Sequence, residues 1–517
     1  MHLSQLFESA QVRRLEPVAI GPVIDPWVTG VQDDSRLVKP GDLFIARSGD
    51  KADGSKFIAD AVSRGAVAVV VGIELTESIS AVPVILVEHA GKAVGQLANA
   101  IMGRPSLQMT LIGVTGTSGK TTCAYLIRHL LNFAGKKCGL IGTVEIDDGS
   151  GTVQEADLTT PGAAELVGIL ARARDNQCEA VVMETSSHAL SQDRVSALRF
   201  AAAAYTNLSQ DHLDYHKTMD NYAAAKARLF EMLDESAVAV VNGQDEYTFR
   251  MIQNCVAPVK TFAIDYLADY RAMDVVVSAA GSNFLLCTPD GHEPVRMKFV
   301  GRHNVQNALL AAGIVIERFG IPISVVAQGL SSAPIVPGRL QPVDHPDGRK
   351  IDYAVLVDYA HKPDALEKVL RAMRPLTTGR LRVLFGCGGN RDRLKRPIMA
   401  QLAQALADDV YITSDNPRDE NPLSIIDEIC EGIVADTSSS DVSSLAEIRV
   451  QPDRAKAIAQ IIADAQTGDV LIIAGKGHEN YQIVQGKKSH FDDVEECQKA
   501  MRRHASKPAA GVERKSK

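Results

Sequence analysis

The residues best suited to bind a small charged ligand form one polar run in the C-terminal part of the chain. This run is Asp415-Asn416-Pro417-Arg418, and it follows an apolar stretch. A guanidinium beside an amide and a carboxylate suits an amino acid that carries a carboxylate and an ammonium on one carbon. Pro417 and Pro422 are also compatible with a solvated turn, and the run alone does not decide between the two interpretations.

A second pattern, typical of phosphate binding, lies where the apolar run Leu111–Thr115 enters a Gly-rich turn and then a helix. Backbone N–H groups of such a turn face a polyphosphate. Lys120 would reach the β- and γ-phosphates, and Thr121 would hold Mg²⁺. We therefore predict an ATP site formed by Gly116, Thr117, Ser118, Gly119, Lys120, Thr121 and Thr122. Val114 stands where the common pattern has its first glycine, and a turn that merely caps a helix is the alternative.

Two further side chains are candidates for catalysis and for metal binding. Glu184 ends an apolar strand-like run, where an unpaired carboxylate would be costly and where its oxygens suit Mg²⁺. His212, with Asp211 beside it, follows another apolar run. We predict Thr121, Glu184 and His212 as metal ligands, although a single histidine after a strand is more often structural.

Lys226 lies in a segment with helical spacing, in line with Tyr222, Leu229 and Phe230 on the apolar face. Desolvation lowers the pKa of an ammonium in such a place. A neutral amine can react with CO₂ to give a carbamate (N6-carboxylysine) that faces metal ions. The other interpretation is a lysine whose stem is buried and whose charge reaches solvent.

Short Val/Ile/Ala runs that alternate with helical periods predict an α/β fold with covered, mostly parallel sheets. Examples are a strand over Ala180–Glu184 and a helix over Gly54–Ser63. The length of 517 residues favours about three domains. Pro/Gly-rich breaks near 102–106 and 333–338 place them at residues 1–103, 104–335 and 336–505. We predict an N-terminal α/β domain, a central phosphate-loop domain, a Rossmann-like C-terminal α/β domain and a disordered tail at 506–517.

Composition excludes several classes of protein. Lys and Arg number 55 against 63 Asp and Glu, for a net charge of -8, so no global positive field attracts nucleic acid or anionic membranes. The 8 cysteines lack zinc spacing and suit a reducing cytoplasm. No apolar run reaches the ~18 residues of a membrane span. We predict a cytoplasmic monomer that binds small molecules, without nucleic-acid binding or membrane insertion.

Taken together, these motifs resemble the Mur ligases of peptidoglycan synthesis. The resemblance rests on 116–121, 183–188, 207–216 and the Lys226 helix, and it covers nearly the whole chain in order. The runs 415–418 and 475–479 are similar to members that use meso-2,6-diaminopimelate. The resemblance implies an ATP-dependent ligase that joins this diamino acid to the D-glutamate of UDP-N-acetylmuramoyl-L-alanyl-D-glutamate. The route would be an acyl phosphate, with ADP and phosphate as by-products.

The resemblance also implies residue roles. The first domain would bind UDP through Ser35 and Arg36, and the muramoyl dipeptide would contact Thr159, Thr160, Ser187, Arg194 and Lys226. Asn304 and Arg339 would contact adenine and phosphate. Lys120, Glu184, His212 and a carbamylated Lys226 would be the catalytic set, with Lys226 structural to the metal site.

For the amine, Arg391 and Arg418 would bind the distal carboxylate, and Asp415 and Glu479 the distal ammonium. Asn416 and the Gly475 backbone would take the remaining polar atoms.

Three alternatives remain open from the sequence. The same ligase could use L-lysine, which would not need the Arg-centred clamp. A folylpolyglutamate synthase shares the ATP core but needs no UDP-binding first domain. A phosphate-loop switch or motor protein would instead use the nucleotide to move a partner.

Overall fold

The computed structural model describes residues 1–15, 24–47, 53–72, 81–278, 280–433 and 446–505. The predicted disordered tail at 506–517 lies outside these ranges. The chain divides into two compact units. The first contains residues 1–274, 284–295 and 306–333, and the second contains 275–283, 296–305 and 334–517.

The N-terminal part of the first unit is built on a parallel sheet with the strand order β1-β2-β3-β4. Its strands are β1 (Gly30–Gln32), β2 (Asp42–Ala46), β3 (Ala68–Val71) and β4 (Val84–Leu86). Its helices are α1 (Leu3–Ala10), α2 (Ile58–Ser63) and α3 (Ala90–Ile101). The predicted helix over Gly54–Ser63 begins instead as a 3-10 turn, Gly54–Phe57, which Asp53 caps by accepting a hydrogen bond from the Ser55 N–H.

The central part of the first unit has a larger sheet, whose order is β12-β11-β10-β5-β9-β6-β7-β8 with β13 to β15 beyond β12. Strands β12 to β6 of this order are parallel, and β7 and β8 are antiparallel additions. The bounds are β5 (Thr110–Thr115), β6 (Cys138–Ile141), β7 (Glu145–Asp147), β8 (Val153–Glu155), β9 (Ala180–Glu184), β10 (Ala202–Tyr205), β11 (Val238–Asn242), β12 (Val259–Ile264), β13 (Tyr270–Ser278), β14 (Gly281–Thr288) and β15 (Gly291–Met297).

Helices cover this sheet and bury its Val, Ile and Ala side chains. They are α4 (Lys120–Phe133), α5 (Ala163–Asp175), α6 (Ser187–Ser191), α7 (Leu213–His216), α8 (Met219–Glu231), α9 (Thr248–Ile252), α10 (Arg302–Phe319) and α11 (Ile323–Ser332). The predicted strand over Ala180–Glu184 is observed as β9 with the same bounds. No helix in the described ranges combines the length and the apolar character needed to cross a bilayer.

The second unit contains a sheet with the order β16-β17-β21-β18-β19-β20 and a separate β22-β23 hairpin. The strands are β16 (Gln341–Pro342), β17 (Ala354–Asp358), β18 (Leu381–Phe385), β19 (Asp409–Ile412), β20 (Glu447–Val450), β21 (Val470–Ala474), β22 (Tyr481–Val484) and β23 (Lys487–His490). The helices are α12 (Pro363–Met373), α13 (Lys395–Leu406), α14 (Pro422–Cys430), α15 (Arg454–Ala463) and α16 (Asp493–Ala505).

Strand residues of this sheet alternate between two apolar cores, as the period of two along a strand requires. Leu356 and Ile472 pack into one core, whereas Val357 and Ile473 pack into the other. Both faces are therefore buried, which explains why these strands are nearly continuous apolar runs. The polar residues that follow β17, β18, β19 and β21 then meet at the carboxyl edge of the sheet, where open α/β sheets bind ligands.

A buried ion pair joins the first turns of α15 and α16. Arg454 donates to both carboxylate oxygens of Asp493 at 2.7 and 2.6 Å, and both side chains are fully buried. Arg454 also donates to the Ala474 carbonyl at the end of β21, at 3.0 Å. This pair ties two helices to the strand that leads into the 475–479 run.

We expect Arg454→Met to destabilise the second unit by about 3–5 kcal/mol, because it leaves the Asp493 carboxylate buried without its partner. Urea unfolding followed by circular dichroism measures the change. The matched control is Lys456→Met, which removes an exposed lysine of the same helix and should change stability by about 0.5 kcal/mol or less. Equal unfolding curves for the two variants would contradict the expectation.

Candidate active site

The phosphate-type loop joins β5 to α4 and depends on two glycines with positive φ. Gly116 has φ 146° and Gly119, which precedes the first residue of α4, has φ 85°. A Cβ at Gly116 would overlap the Thr206 hydroxyl, and one at Gly119 would lie 2.6 Å from Asn307 Oδ1. Backbone geometry and space therefore both require glycine at these positions.

Side chains hold the loop by donating to its carbonyl oxygens. Lys120 belongs to the loop, and Thr206 and Asn207 come from elsewhere in the first unit. Lys120 Nζ donates to Gly116 O at 2.8 Å and to Thr117 O at 3.0 Å. Thr206 Oγ1 donates to Ser118 O at 2.6 Å, and Asn207 Nδ2 donates to the same oxygen at 3.2 Å. The first N–H groups of α4 have no intrahelical acceptor, so this end of the helix can bind an anion.

Thr121 and Thr122 follow Lys120 in the first turn of α4 and are both buried. The predicted nucleotide residues 116–122 thus form one continuous turn and helix start.

The other two predicted nucleotide contacts, Asn304 and Arg339, both belong to the second unit. Asn304 is buried and donates to the Val300 carbonyl at 2.9 Å. The Arg339 guanidinium stacks over the Tyr359 ring at 4.9 Å.

Lys226 lies in α8 with 1% of its surface exposed, as its position on the apolar face predicts. Its Nζ donates to Gly116 O at 2.8 Å and lies 4.6 Å from the centre of the Tyr222 ring. Burial lowers the pKa of the Lys226 ammonium well below its ordinary value, and the charge on Lys120 lowers it further. This shift favours the neutral amine, which is the state that reacts with CO₂.

Glu184 ends β9 with 1% exposure, and Thr143 holds its carboxylate. The Thr143 N–H donates to Glu184 Oε1 at 2.8 Å, and the Thr143 hydroxyl donates to Oε2 at 3.1 Å. Each carboxylate oxygen has a second lone pair, so Glu184 can still take a hard cation. The described residues contain no group of three or more His, Cys, Asp or Glu in metal-binding arrangement. In phosphate sites, Mg²⁺ is held by one or two protein carboxylates together with waters and phosphate oxygens. The single carboxylate of Glu184 fits that requirement.

His212 stands at the start of α7 with φ 54°, and its Nε2 lies 3.5 Å from Asp211 Oδ2. Its ring meets the His188 ring edge-on, with centroids 4.8 Å apart. His216 accepts from or donates to the Ser187 hydroxyl at 2.9 Å. Burial lowers the pKa of His188 and of His216, so both imidazoles are biased towards the neutral form.

Residues predicted to contact the muramoyl dipeptide cluster beside Glu184. Thr159 Oγ1 donates to Thr143 Oγ1 at 3.0 Å, since the Thr143 proton goes to Glu184, and Thr160 Oγ1 donates to the Glu184 carbonyl at 2.8 Å. Arg194 Nη1 donates to Thr160 O at 2.9 Å. The structure therefore links Thr159, Thr160 and Arg194 to the end of β9 through short hydrogen bonds.

The two predicted UDP contacts lie in the N-terminal part of the first unit. Ser35 is buried, and Arg36 is exposed and pairs with Asp34 at 2.6 Å. Asp34 also accepts from the Arg36 N–H, which caps the short 3-10 turn Ser35–Leu37.

In the second unit, the loops after β18 and β19 pack backbone against backbone. A Cβ at Gly386 would overlap the Thr413 carbonyl, and one at Gly389 would overlap the Pro417 carbonyl. The Gly389 N–H donates to Asn416 O at 2.9 Å. The glycines at 386–389 are thus required because the 415–418 run lies directly against them.

Arg418 adopts φ 52°, and its Nη1 donates to Gly389 O at 2.9 Å. Its backbone pairs with the β22-β23 hairpin, through Ile483 O and the Gln485 N–H. A Cβ at Gly388 would lie 2.9 Å from Arg418 Nη1 and 3.8 Å from Arg391 Cγ, so the two arginines flank the same glycine. Arg391 is exposed, which leaves its guanidinium accessible to a ligand.

The acidic and amide groups of the predicted pocket form a second cluster. Asn416 Nδ2 donates to Glu479 Oε2 at 2.7 Å, and Asn416 Oδ1 accepts from the Ile483 N–H at 3.0 Å. Asp415 is buried, and its Oδ2 lies 3.5 Å from where a Gly475 Cβ would be. Gly475 itself has φ 115°. Burial raises the pKa of the Glu479 carboxyl, and the charge on Asp415 raises it further.

Sequence reasoning missed three side chains that hold these sites. Thr143 orients Glu184, Asn307 Oδ1 accepts from the Cys123 thiol beneath the loop at 3.3 Å, and Lys476 lies between Asp415 and Glu479. Lys476 lies inside the 475–479 run, so the sequence did contain a signal that it belongs to the site. Thr143 and Asn307 have no local signal, because their partners are about 41 and 184 residues away in the chain.

A Gly-rich loop suited to phosphate on one unit, and a cluster of arginines and carboxylates on the other, are features that an ATP-dependent ligase joining a carboxylate to an amine requires. Comparisons with known proteins agree with this class. Three family descriptions match the chain: "Mur ligase family, catalytic domain" at residues 28–101, "Mur ligase middle domain" at 114–315 and "Mur ligase, glutamate ligase domain" at 338–477.

A curated relative from Synechococcus elongatus is 42% identical over 509 residues, which cover 97% of this chain and 99% of the relative. It is named UDP-N-acetylmuramoyl-L-alanyl-D-glutamate–2,6-diaminopimelate ligase. A solved structure with that name has a TM-score of 0.65 at 34% identity and covers 92% of this chain and 95% of that chain. The chain therefore belongs to the Mur ligase family and has its three-domain architecture.

A folylpolyglutamate synthase from Mycobacterium tuberculosis shares the fold alone, with a TM-score of 0.57 at 17% identity. That likeness covers 73% of this chain and 91% of the synthase. The Mur ligase descriptions, in contrast, include residues 28–101 in the N-terminal part.

We expect Lys226→Ala to lower the rate of ligation by about 100-fold or more, because the variant lacks the side chain that, as a carbamate, would add an anionic oxygen beside the loop. If Lys226 acts as a carbamate, added formate or acetate should restore part of the activity. Phosphate release in saturating ATP and Mg²⁺ measures both effects.

The control is Lys136→Ala, a lysine on the surface of the same unit that pairs with Glu179. It should keep its activity and show no response to formate or acetate. Loss of activity in Lys226→Ala without any restoration would contradict a carbamate as the active form.

Proposed function

We propose that this protein adds meso-2,6-diaminopimelate to the D-glutamate of UDP-N-acetylmuramoyl-L-alanyl-D-glutamate, with ATP as the energy source. The observation that carries the proposal is in the second unit, where Arg391 and Arg418 flank Gly388 and where Asp415, three residues before Arg418, is buried. This set of charges complements a carboxylate and an ammonium on one carbon. Relatives that match nearly the full length carry the corresponding name.

In the first step, an oxygen of the glutamyl carboxylate attacks the γ-phosphorus of ATP, and ADP leaves. Phosphoryl transfer depends on positioning and on neutralising charge rather than on covalent catalysis. Lys120 supplies a fixed positive charge, and the N-terminus of α4 supplies backbone N–H groups for the phosphates. Thr117 and Ser118 are held by Asn207, so the loop keeps its shape before the nucleotide arrives.

Thr121, Glu184 and His212 would hold Mg²⁺, with phosphate oxygens and water completing the coordination. The ion would neutralise charge that develops on the phosphates. Thr143 keeps the Glu184 carboxylate in one orientation for this purpose. Lys226, as a carbamate, would add a further anionic oxygen near the loop.

The muramoyl substrate would lie along the first unit. Ser35 and Arg36 would contact the uridine diphosphate, and Thr159, Thr160, Ser187 and Arg194 the dipeptide. Hydrogen bonds join Thr159 to Thr143 and Thr160 to the Glu184 carbonyl. The carboxylate to be phosphorylated would thus be held by residues that also fix Glu184.

In the second step, the free amine of diaminopimelate attacks the acyl carbon, the amine loses a proton, and phosphate leaves. Arg391 and Arg418 would bind the distal carboxylate, and Asp415 and Glu479 the distal ammonium. Asn416 and the Gly475 backbone would take the remaining polar atoms. L-Lysine lacks the distal carboxylate and would lose the contacts to both guanidinium groups, and a site built to bind a polar group that an analogue lacks can reject that analogue by ~10⁴.

We further propose that the domains meet near residues 103 and 335, and that the enzyme works as a monomer in the cytoplasm. The three family descriptions begin and end close to these boundaries, at 101 and 114 and at 315 and 338. The substrates named above are all small molecules.

We expect wild-type protein with UDP-muramoyl dipeptide, ATP and Mg²⁺ to release phosphate when meso-diaminopimelate is added, and to release far less with L-lysine or without amine. A coupled phosphate assay over a range of amine concentrations gives the ratio of kcat/KM values, which should exceed about 10³. Phosphate release with L-lysine alone would establish the lysine-using alternative. Strong phosphate release with no amine would contradict the ligase mechanism.

We expect Arg418→Ala to raise the KM for diaminopimelate by about 100-fold, because a charge-assisted contact to the distal carboxylate is lost. The KM for ATP should stay within about twofold, because the phosphate loop lies in the other unit. Arg371→Ala is the control, since Arg371 pairs with Glu367 on the exposed face of α12. Parallel changes in both KM values would show that Arg418 does not act at the amine.

A further inference from the structure

Lys476 is fully buried in the second unit, at a bend between β21 and the β22-β23 hairpin. It stands between Gly475 and Gly477, which have φ 115° and 57°. These two conformations turn the chain on either side of the lysine and direct its side chain inward. A buried ammonium is retained in a protein core when partners surround it.

The partners of Lys476 are the acidic and amide residues of the proposed amine pocket. Its Nζ lies 3.5 Å from Asp415 Oδ1 and 3.5 Å from Glu479 Oε2. It also donates to Asn416 Oδ1 at 3.2 Å. One cation therefore connects three side chains that come from two separate loops.

Asn416 is fixed by the same cation. Its Oδ1 accepts from Lys476 Nζ and from the Ile483 N–H, so its Nδ2 must point the other way, towards Glu479 at 2.7 Å. Asp415 Oδ1 is buried and accepts no hydrogen bond within the described residues. This oxygen lies 3.5 Å from Lys476 Nζ, so a ligand N–H would add the hydrogen bond that the ion pair leaves unmade.

The three ionisable side chains of this cluster carry a net charge of -1 when both carboxylates are ionised. Asp415 and Glu479 together bring two negative charges when ionised, and Lys476 brings one positive charge. Arg454, which is also fully buried, is paired with Asp493. Without Lys476 the two carboxylates would face each other at low dielectric, and one would take up a proton and lose its function as an acceptor of charge.

We propose that Lys476 is a positioning residue that holds Asp415, Asn416 and Glu479 as one preorganised acceptor set for the distal ammonium of the incoming diamino acid. This inference rests on the proposed function, since it concerns the same pocket. Lys476 itself does not contact the amine that reacts. Its role is exerted through the two carboxylates and the amide.

The test compares Lys476→Met and Lys476→Arg in the full-length protein, with meso-diaminopimelate as the varied amine. Lys476→Met should raise the KM for diaminopimelate by about 30-fold or more while kcat and the KM for ATP stay within about threefold. Lys476→Arg keeps the charge and should recover at least part of the loss. Lys456→Met, on the exposed side of α15, is the control and should behave as wild type.

A double-variant cycle separates this role from a general structural one. If Lys476 acts through Glu479, the KM of Lys476→Met/Glu479→Gln should be no higher than that of the worse single variant. Independent roles would instead multiply the two KM increases and overturn the proposal. A uniform fall in kcat with unchanged KM values, and no recovery in Lys476→Arg, would also overturn it.

The thermal unfolding midpoint shows whether Lys476→Met is less stable than wild type. Lys476→Arg, which keeps the charge, provides the comparison with a folded variant. Should wild-type protein release no phosphate with diaminopimelate, the proposed function fails and this inference fails with it. Should wild type use diaminopimelate while the Lys476 variants keep its KM unchanged, the inference fails alone.

Discussion

Two lysine ammonium groups share one carbonyl oxygen in the phosphate-binding loop, and the chemistry of the first unit depends on this contact. Lys120 from α4 and Lys226 from α8 both donate to Gly116 O. Like charges at such a distance oppose each other, and burial acts most strongly against the charge on Lys226. A neutral Lys226 removes the conflict. In the proposed mechanism, Lys120 is then the loop's charge for phosphate, and Lys226 is the amine that CO₂ modifies.

The second unit places a buried lysine in the opposite electrostatic setting. Lys476 lies between two carboxylates, so its charge is matched by its surroundings. The difference between the two lysines follows from their neighbours rather than from their burial, which is nearly complete in both. One setting favours a neutral amine, and the other surrounds the lysine with the carboxylates that we propose it positions.

Much of the fold could be predicted from the sequence, because apolar runs of four to six residues bounded by polar ones define buried strands. The strand over Ala180–Glu184 was predicted with its observed bounds, and Lys226 was predicted on a buried face. The antiparallel strands β7 and β8 were not predicted, because they are three residues long and β8 is exposed, which leaves no apolar run to detect. The residue roles at the site stay predictions until the variants are measured.

The sequence by itself determined the elements that are local: the Gly-rich turn before Lys120, the carboxylate at the end of β9 and the 415–418 run. These follow from the φ angles glycine allows and from the period of apolar residues, both of which are properties of neighbouring residues. Only the tertiary structure decided which side chains hold them. Thr143 reaches Glu184, Asn307 lies beneath the loop, and Lys476 bridges Asp415 and Glu479. Such contacts depend on how distant segments pack, and packing has no signature in a short stretch of sequence.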